Sequence, residues 1–162
     1  MVLKKKQAFT IVALVGLATV FIAAGIYAGT EVPDVITMQN KAYEEHTKGI
    51  VEFTHKKHVE EYKAACGDCH HDDQGKPLTD LQWGDSVDTC ITCHKIPGTV
   101  PGELKKEWRA TKVPKAEQNK RELEYHAEAV HQNCITCHKD FNKKNNTKAA
   151  PVTCTTCHPK QG

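Results

Sequence analysis

The sequence predicts a domain that is mostly irregular with short α-helices, set behind an N-terminal transmembrane or signal helix. Three observations predict it. Four C-x-x-C-H units, beginning at Cys66, Cys90, Cys134 and Cys154, use all eight cysteines of the 162-residue chain. Large apolar side chains are scarce, with four Phe, two Trp and four Tyr in all. Residues Ala8 to Gly29 carry no charge over 22 positions. A body so poor in core formers cannot offset its chain entropy by side-chain burial alone, so something else must fill its interior.

The apolar segment follows Lys4, Lys5 and Lys6. As a helix rising 1.5 Å per residue it would be about 33 Å long, enough for a hydrocarbon core of about 30 Å. A secretory signal has a shorter apolar region, roughly 7–15 residues, and a small-x-small cleavage site. Ala23-Ala24-Gly25 is a passable site and Ile26-Tyr27-Ala28 a weaker one. Residues 1–29 therefore read as a membrane anchor, with a cleaved signal as the alternative. Either way the basic flank stays in the cytoplasm and the body crosses the membrane. Without those three lysines the chain holds 19 basic and 20 acidic side chains, a net charge of −1. No nucleic-acid partner is suggested by that balance.

Residues 30–50 are polar, contain Pro33 and read as a tether, with a short helix around Gln39–His46. The domain proper is 51–162. Val51-Glu52-Phe53 suits a short strand, and Val59 to Ala65 a helix running into the first unit. Asp72 to Asp88 holds Gly75, Pro77 and Gly84 and reads as loop. Ile96 to Val113 is a loop broken by one helical piece, Glu103–Arg109. Lys115 to Asn133 predicts a single long helix with Leu123, Ala127, Val130 and His131 on one face. Asn142 to Ala150 is a polar loop.

Cysteines at i and i+3 with histidine at i+4 share one face of a helical turn, the pattern of c-type haem attachment. The units are Cys66, Cys69 and His70; Cys90, Cys93 and His94; Cys134, Cys137 and His138; Cys154, Cys157 and His158. Their starts lie 24, 44 and 20 residues apart, too irregular for a solenoid. A lone copy could be a redox dithiol or half a zinc site. Four copies, with no cysteine outside them, point to four covalent haems c.

Each iron then needs a sixth ligand. Six histidines lie outside the units: His46, His55, His58, His71, His126 and His131. The methionines are only Met1 and Met38, too few for four irons, whereas four of six histidines suffice. Bis-histidine ligation implies low potentials and closed irons, which pass electrons and do not bind substrate. An enzyme acting on a small oxyanion would need an open iron position. The chain therefore reads as an electron carrier and not an enzyme. His46, in the tether, reads as a solvated residue. His126 and His131 compete for one role, and His131, three residues before Cys134, is preferred.

The stretch FTHKKH…CGDCHH closely resembles the class III tetrahaem cytochromes c, the cytochrome c3 family, and the resemblance runs from Val51 to Pro159. It implies four bis-histidine haems clustered in a fold with little regular structure. It implies low-potential electron transfer in the periplasm of anaerobic, often sulfate-reducing, bacteria. By position, it implies that His55 is the sixth ligand of the first haem, His71 of the second, His58 of the third and His131 of the fourth. It also implies redox partners such as hydrogenase, formate dehydrogenase or a membrane redox complex, docked on a lysine-rich surface near the fourth haem. Lys139, Lys143, Lys144 and Lys148 form the matching cluster.

Three features depart from the family's pattern. Its typical member is soluble. Some members space the second or fourth cysteine pair by four residues, whereas all four gaps here are two. The stretch Lys95 to Glu124 is longer than in the smallest members and reads equally as a docking insertion or a longer loop. A second functional reading is a membrane-anchored quinol dehydrogenase subunit feeding a periplasmic reductase. Such subunits share the N-terminal helix and four haems, but there the first haem unit follows the helix closely.

Overall fold

The computed structural model describes residues 32–160. The expected N-terminal helix therefore lies outside the described residues. Among the described residues, no helix is long and apolar enough to cross a membrane. Residues 33–83 group with residues 87 onward, while Val32 and Gly84–Ser86 group apart from them.

Two short strands, β1 (Ile36–Thr37) and β2 (Glu52–Phe53), pair antiparallel, with Ile36 opposite Phe53 and Thr37 opposite Glu52. The Thr37 hydroxyl donates to Glu52 across the pair (3.0 Å), and the Met38 amide donates to Val51 O (2.9 Å). The segment read as a tether thus starts with a strand of the domain. The helix expected around Gln39–His46 does not form; that stretch is turn and bend. Asn40 is the reason, because its side chain accepts from the Ala42 amide at 2.9 Å and its carbonyl from Tyr43 at 3.1 Å. An asparagine that satisfies local amides in this way competes with the helix.

Six helices follow among the described residues: α1 (His55–Glu60), α2 (Cys90–Cys93), α3 (Gly102–Ala110), α4 (Lys115–Glu122), α5 (His126–Lys144) and α6 (Cys154–Cys157). A 3-10 turn covers Cys66–Asp68. The expected helix from Val59 to Ala65 is displaced toward the N-terminus. Lys63 takes a left-handed φ of 58°, and the Ala64 amide turns back to donate to His58 O at 2.9 Å. That closure ends a helix.

The long helix expected over Lys115–Asn133 is two helices. Between them Tyr125 bridges in parallel to Ile96. The Ile96 amide donates to Glu124 O (3.0 Å), the His126 amide to Ile96 O (2.8 Å) and the Ala127 amide to Gly98 O (3.0 Å). Backbone from the loop after the second unit has replaced helical partners at this point. Leu123 consequently does not share a helix with Ala127, Val130 and His131. The second helix then runs on through the third unit to Lys144, past the expected start of the polar loop.

Prolines open α3 and α4, at Pro101 and Pro114, where a missing amide proton costs nothing. Only Val100, Trp108 and Ala129 are buried to below a tenth of their surface among the described residues. Two of these belong to the stretch Lys95–Glu124, so that stretch supplies most of the side-chain core and is no plain loop. Lys105 pairs with Glu128 at 2.7 Å, and the same carboxylate accepts from the Val100 amide at 3.2 Å, fixing α3 against α5. Arg121 lies 5.8 Å above the Trp108 ring.

Candidate haem sites

Each cysteine pair sits on one turn closed by its own histidine. The amides of His70, His94 and His158 donate to the carbonyls of Cys66 (2.9 Å), Cys90 (2.9 Å) and Cys154 (2.8 Å). The third unit lies within α5, where Cys134, Cys137 and His138 share a face by helical period. Side chains fix the turns locally. Asp68 accepts from the Ala65 amide at 2.8 Å, and the Thr153 and Thr156 hydroxyls meet at 3.0 Å across the fourth turn.

No disulfide joins any of the eight cysteines, and six of them are exposed. Burial on its inner side still pushes the Cys134 thiol up to about 11, and Cys69, Cys157 and Cys90, from the other three units, add to the shift. Burial first, then Cys137 and Cys90, also raises the Cys69 thiol. The four units therefore converge. Further links agree with this. Asn133 Nδ2 donates to Cys69 O at 3.3 Å, and α2 packs against α5.

The histidines are arranged in pairs. The ring centroids of His55 and His70 are 6.3 Å apart, those of His71 and His94 6.0 Å, His58 and His138 6.2 Å, and His131 and His158 6.1 Å. These are the four pairs that the family resemblance implies. Two metal–imidazole bonds of about 2 Å plus the two ring half-widths come to about 6 Å, so one metal ion fits between each pair. Among the described residues, no three His, Cys, Asp or Glu side chains converge on one point as a metal cluster. That arrangement does not suit a tetrahedral zinc site, which takes four ligands.

Five of the eight rings are oriented by the backbone. Nδ1 donates to Thr54 O from His58 (2.8 Å), to Asp72 O from His71 (2.7 Å), to Pro151 O from His138 (2.7 Å) and to Gly49 O from His158 (2.8 Å). His94 Nδ1 donates to Leu123 O. A carbonyl can only accept, so the Nδ1 proton is fixed and the Nε2 lone pair is left for a metal. Burial, then the neighbouring His70 and His58, lowers the His55 pKa, and burial lowers that of His70. Both rings are therefore neutral at neutral pH, as a metal ligand must be.

The surroundings explain several of these contacts. Asp72 accepts from the amides of Gln74 (2.9 Å) and Lys76 (2.8 Å), which holds its carboxyl below the usual range and tightens the turn that carries His71. Gly75 supplies that turn with a φ of 78°. Asn142 clamps Ala150 by two bonds, 2.8 and 3.0 Å, and so presents Pro151 O to His138. Gly49 has no room for a Cβ, which would stand 2.0 Å from Pro159 O. Gly49→Ala is therefore expected to displace Gly49 O from His158. The expected result is a shifted midpoint for one haem of the set in a potentiometric titration, with unchanged haem content.

Two histidines stay outside the pairs. Tyr43 stacks on His46 with centroids 5.1 Å apart, and its hydroxyl shares a hydrogen bond with His126 Nδ1 at 2.8 Å. His46 is thus a packed residue, contrary to the solvated role expected for it. His126 meets Tyr43 edge-on as well, and burial followed by His94 lowers its pKa. The surroundings of His126 were not visible in the sequence, because Tyr43 meets it from 83 positions away.

Four attachment turns, four pairs of facing imidazoles and a side-chain core of three buried residues among those described are the features of a c-type cytochrome. The model of the class III cytochrome c family matches residues 32–158. The chain belongs to that family, whose members carry electrons on covalently bound haem c. No curated protein and no solved structure matches the chain.

Proposed function

We propose that the chain carries four haems c, each iron held between two imidazoles, and that it passes electrons at low potential without itself transforming a substrate. Cys66 and Cys69 hold the first haem, with His70 and His55 as axial ligands. Cys90 and Cys93 hold the second, with His94 and His71. Cys134 and Cys137 hold the third, with His138 and His58. Cys154 and Cys157 hold the fourth, with His158 and His131. The observation that carries this reading is the set of four ring separations, 6.0–6.3 Å. Bound haem supplies the redox couple. The chain's own part is to close both axial positions, to fix ring rotation through Nδ1, and to hold the four sites close together. Histidine on both sides favours low potential, since methionine ligation raises it.

The rest of the proposal concerns place and partners. The uncharged segment after three lysines supports a location on the periplasmic side of the cytoplasmic membrane, anchored by that segment or free in the periplasm once it is cleaved. Lys139, Lys143, Lys144 and Lys148 are exposed and make no ion pair among the described residues. They support docking of an acidic redox partner, such as a hydrogenase, a formate dehydrogenase or a membrane redox complex of anaerobic respiration.

Electron paramagnetic resonance of the intact oxidised protein tests the ligation. All four irons are expected to be low-spin, and a substantial high-spin fraction would overturn the proposal. His131→Ala is expected to make one iron in four high-spin, while His126→Ala leaves all four low-spin. The opposite result would reassign the fourth distal ligand.

A further inference from the structure

The eight paired imidazoles are not held alike. At the second and third sites both rings of the pair donate Nδ1–H to a backbone carbonyl. At the fourth site His158 does so. At the first site, among the described residues, neither His55 nor His70 has such a bond, and Nδ1 of His55 is buried with no hydrogen-bond partner. Another group lies against that ring instead. Trp83 stacks on His55 with centroids 5.0 Å apart and planes 24° apart. Trp83 is 45% exposed, so it is not there to fill a core. An indole left half in water yet laid flat on one imidazole points to a task at that imidazole.

We propose that Trp83 is the positioning residue of the first haem site, its ring holding His55 toward the iron where the other sites use a backbone hydrogen bond. The proposal rests on the bis-histidine reading above. A hydrogen bond from Nδ1 does two things for a ligating imidazole: it fixes the ring's rotation and it raises its basicity. Stacking limits the tilt of the ring and keeps water from Nδ1, but adds nothing to donor strength. Among the described residues the first site is thus the one where neither imidazole gains basicity from such a bond. Hydrogen bonding to the ligating rings is one of the levers on haem potential, and at this site it does least to lower it. The distal bond at this iron also depends on a single exposed side chain.

Tyr62 provides an internal control. Its ring meets His58 edge-on at 5.4 Å and is 59% exposed, but His58 also has its bond to Thr54 O. Removal of Tyr62 should therefore leave the third haem undisturbed.

The experiment compares wild type, Trp83→Leu, Trp83→Phe and Tyr62→Leu as full-length proteins whose haem content is counted by mass. Each is read by electron paramagnetic resonance when oxidised and by carbon monoxide binding when reduced. Trp83→Leu keeps bulk but no flat ring. It is expected to give high-spin signal and carbon monoxide binding at one haem in four. Trp83→Phe, which restores a ring, is expected to recover most of the low-spin state, and Tyr62→Leu to match wild type. If Trp83→Leu stays fully low-spin and inert to carbon monoxide, the role given to Trp83 is wrong. If Trp83→Leu holds less haem than the others, Trp83→Phe decides: a wild-type spectrum with full haem supports the stacked role, and a high-spin iron despite the ring overturns it. High-spin signal in wild type would instead overturn the bis-histidine reading itself, so the two failures are distinguishable.

Discussion

A chain with serine at all eight cysteines, purified free of haem, is expected to show no cooperative thermal transition. Its slowest amide exchange should be no more than that of fraying helices. The expectation follows from how little protein core there is. Val100, Trp108 and Ala129 are the buried residues among those described, and no side chain there is fully enclosed. Burying one large apolar side chain contributes about 1.5–3 kcal/mol. Ordering each residue's backbone costs about 1–2 kcal/mol. Two large buried side chains therefore offset only a few residues of ordered chain. The ion pairs do not change this, because most are exposed, and exposed pairs contribute roughly 0–1 kcal/mol. What remains of structure should be confined to α3, α4 and the start of α5, around Trp108. A sharp melt accompanied by native near-ultraviolet dichroism would show that the polypeptide folds alone and that haem does not form its core.

The same scarcity of core explains which features could be read from the sequence. The four attachment turns were legible because each is local: cysteine, cysteine and histidine at i, i+3 and i+4 need nothing beyond one helical turn. The strand at Glu52–Phe53 and the helical piece around Glu103–Arg109 were legible for the same reason. The break at Leu123–Tyr125 was not, since Ile96 and Gly98 make it from nearly 30 residues away and no local residue signals it. Asn40 did carry a local signal, its capacity for an Asx turn, which outweighs the helical look of Gln39–His46. The tight approach of Gly49 to Pro159 had no signal at all. A lone glycine in a polar stretch reads as ordinary loop until the chain's far end is seen against it. Trp83 was equally silent, as its significance lies only in the ring it touches. The pairing of rings came through resemblance to a family and not from spacing. Spacing alone left six histidines for four places.

His58→Met is expected to change the haem attached at Cys134 and Cys137 far more than the haem attached at Cys66 and Cys69, although the latter pair is much nearer in sequence. His55 and His58 stand one helical turn apart on α1, yet the His55 ring faces His70 and the His58 ring faces His138. A six-residue helix thus joins a site made within its own neighbourhood to one made about 80 residues later. With an iron held between each pair as proposed, such a link would close a long loop in the chain and contribute to stability much as any cross-link of that span does. Methionine in place of His58 can still reach an iron, but as a weaker donor to the oxidised state. The third haem's midpoint should rise on the order of 0.1 V, a modest part of the roughly 0.8 V that axial ligands span. The affected iron can be recognised without assigning every potential. The planes of His58 and His138 lie 23° apart, against 71–86° for the other three pairs, so the low-spin signal from near-parallel imidazoles is the one that should vanish. Loss of a signal from a near-perpendicular pair instead would place His58 at another iron and undo the cross-linking role of α1.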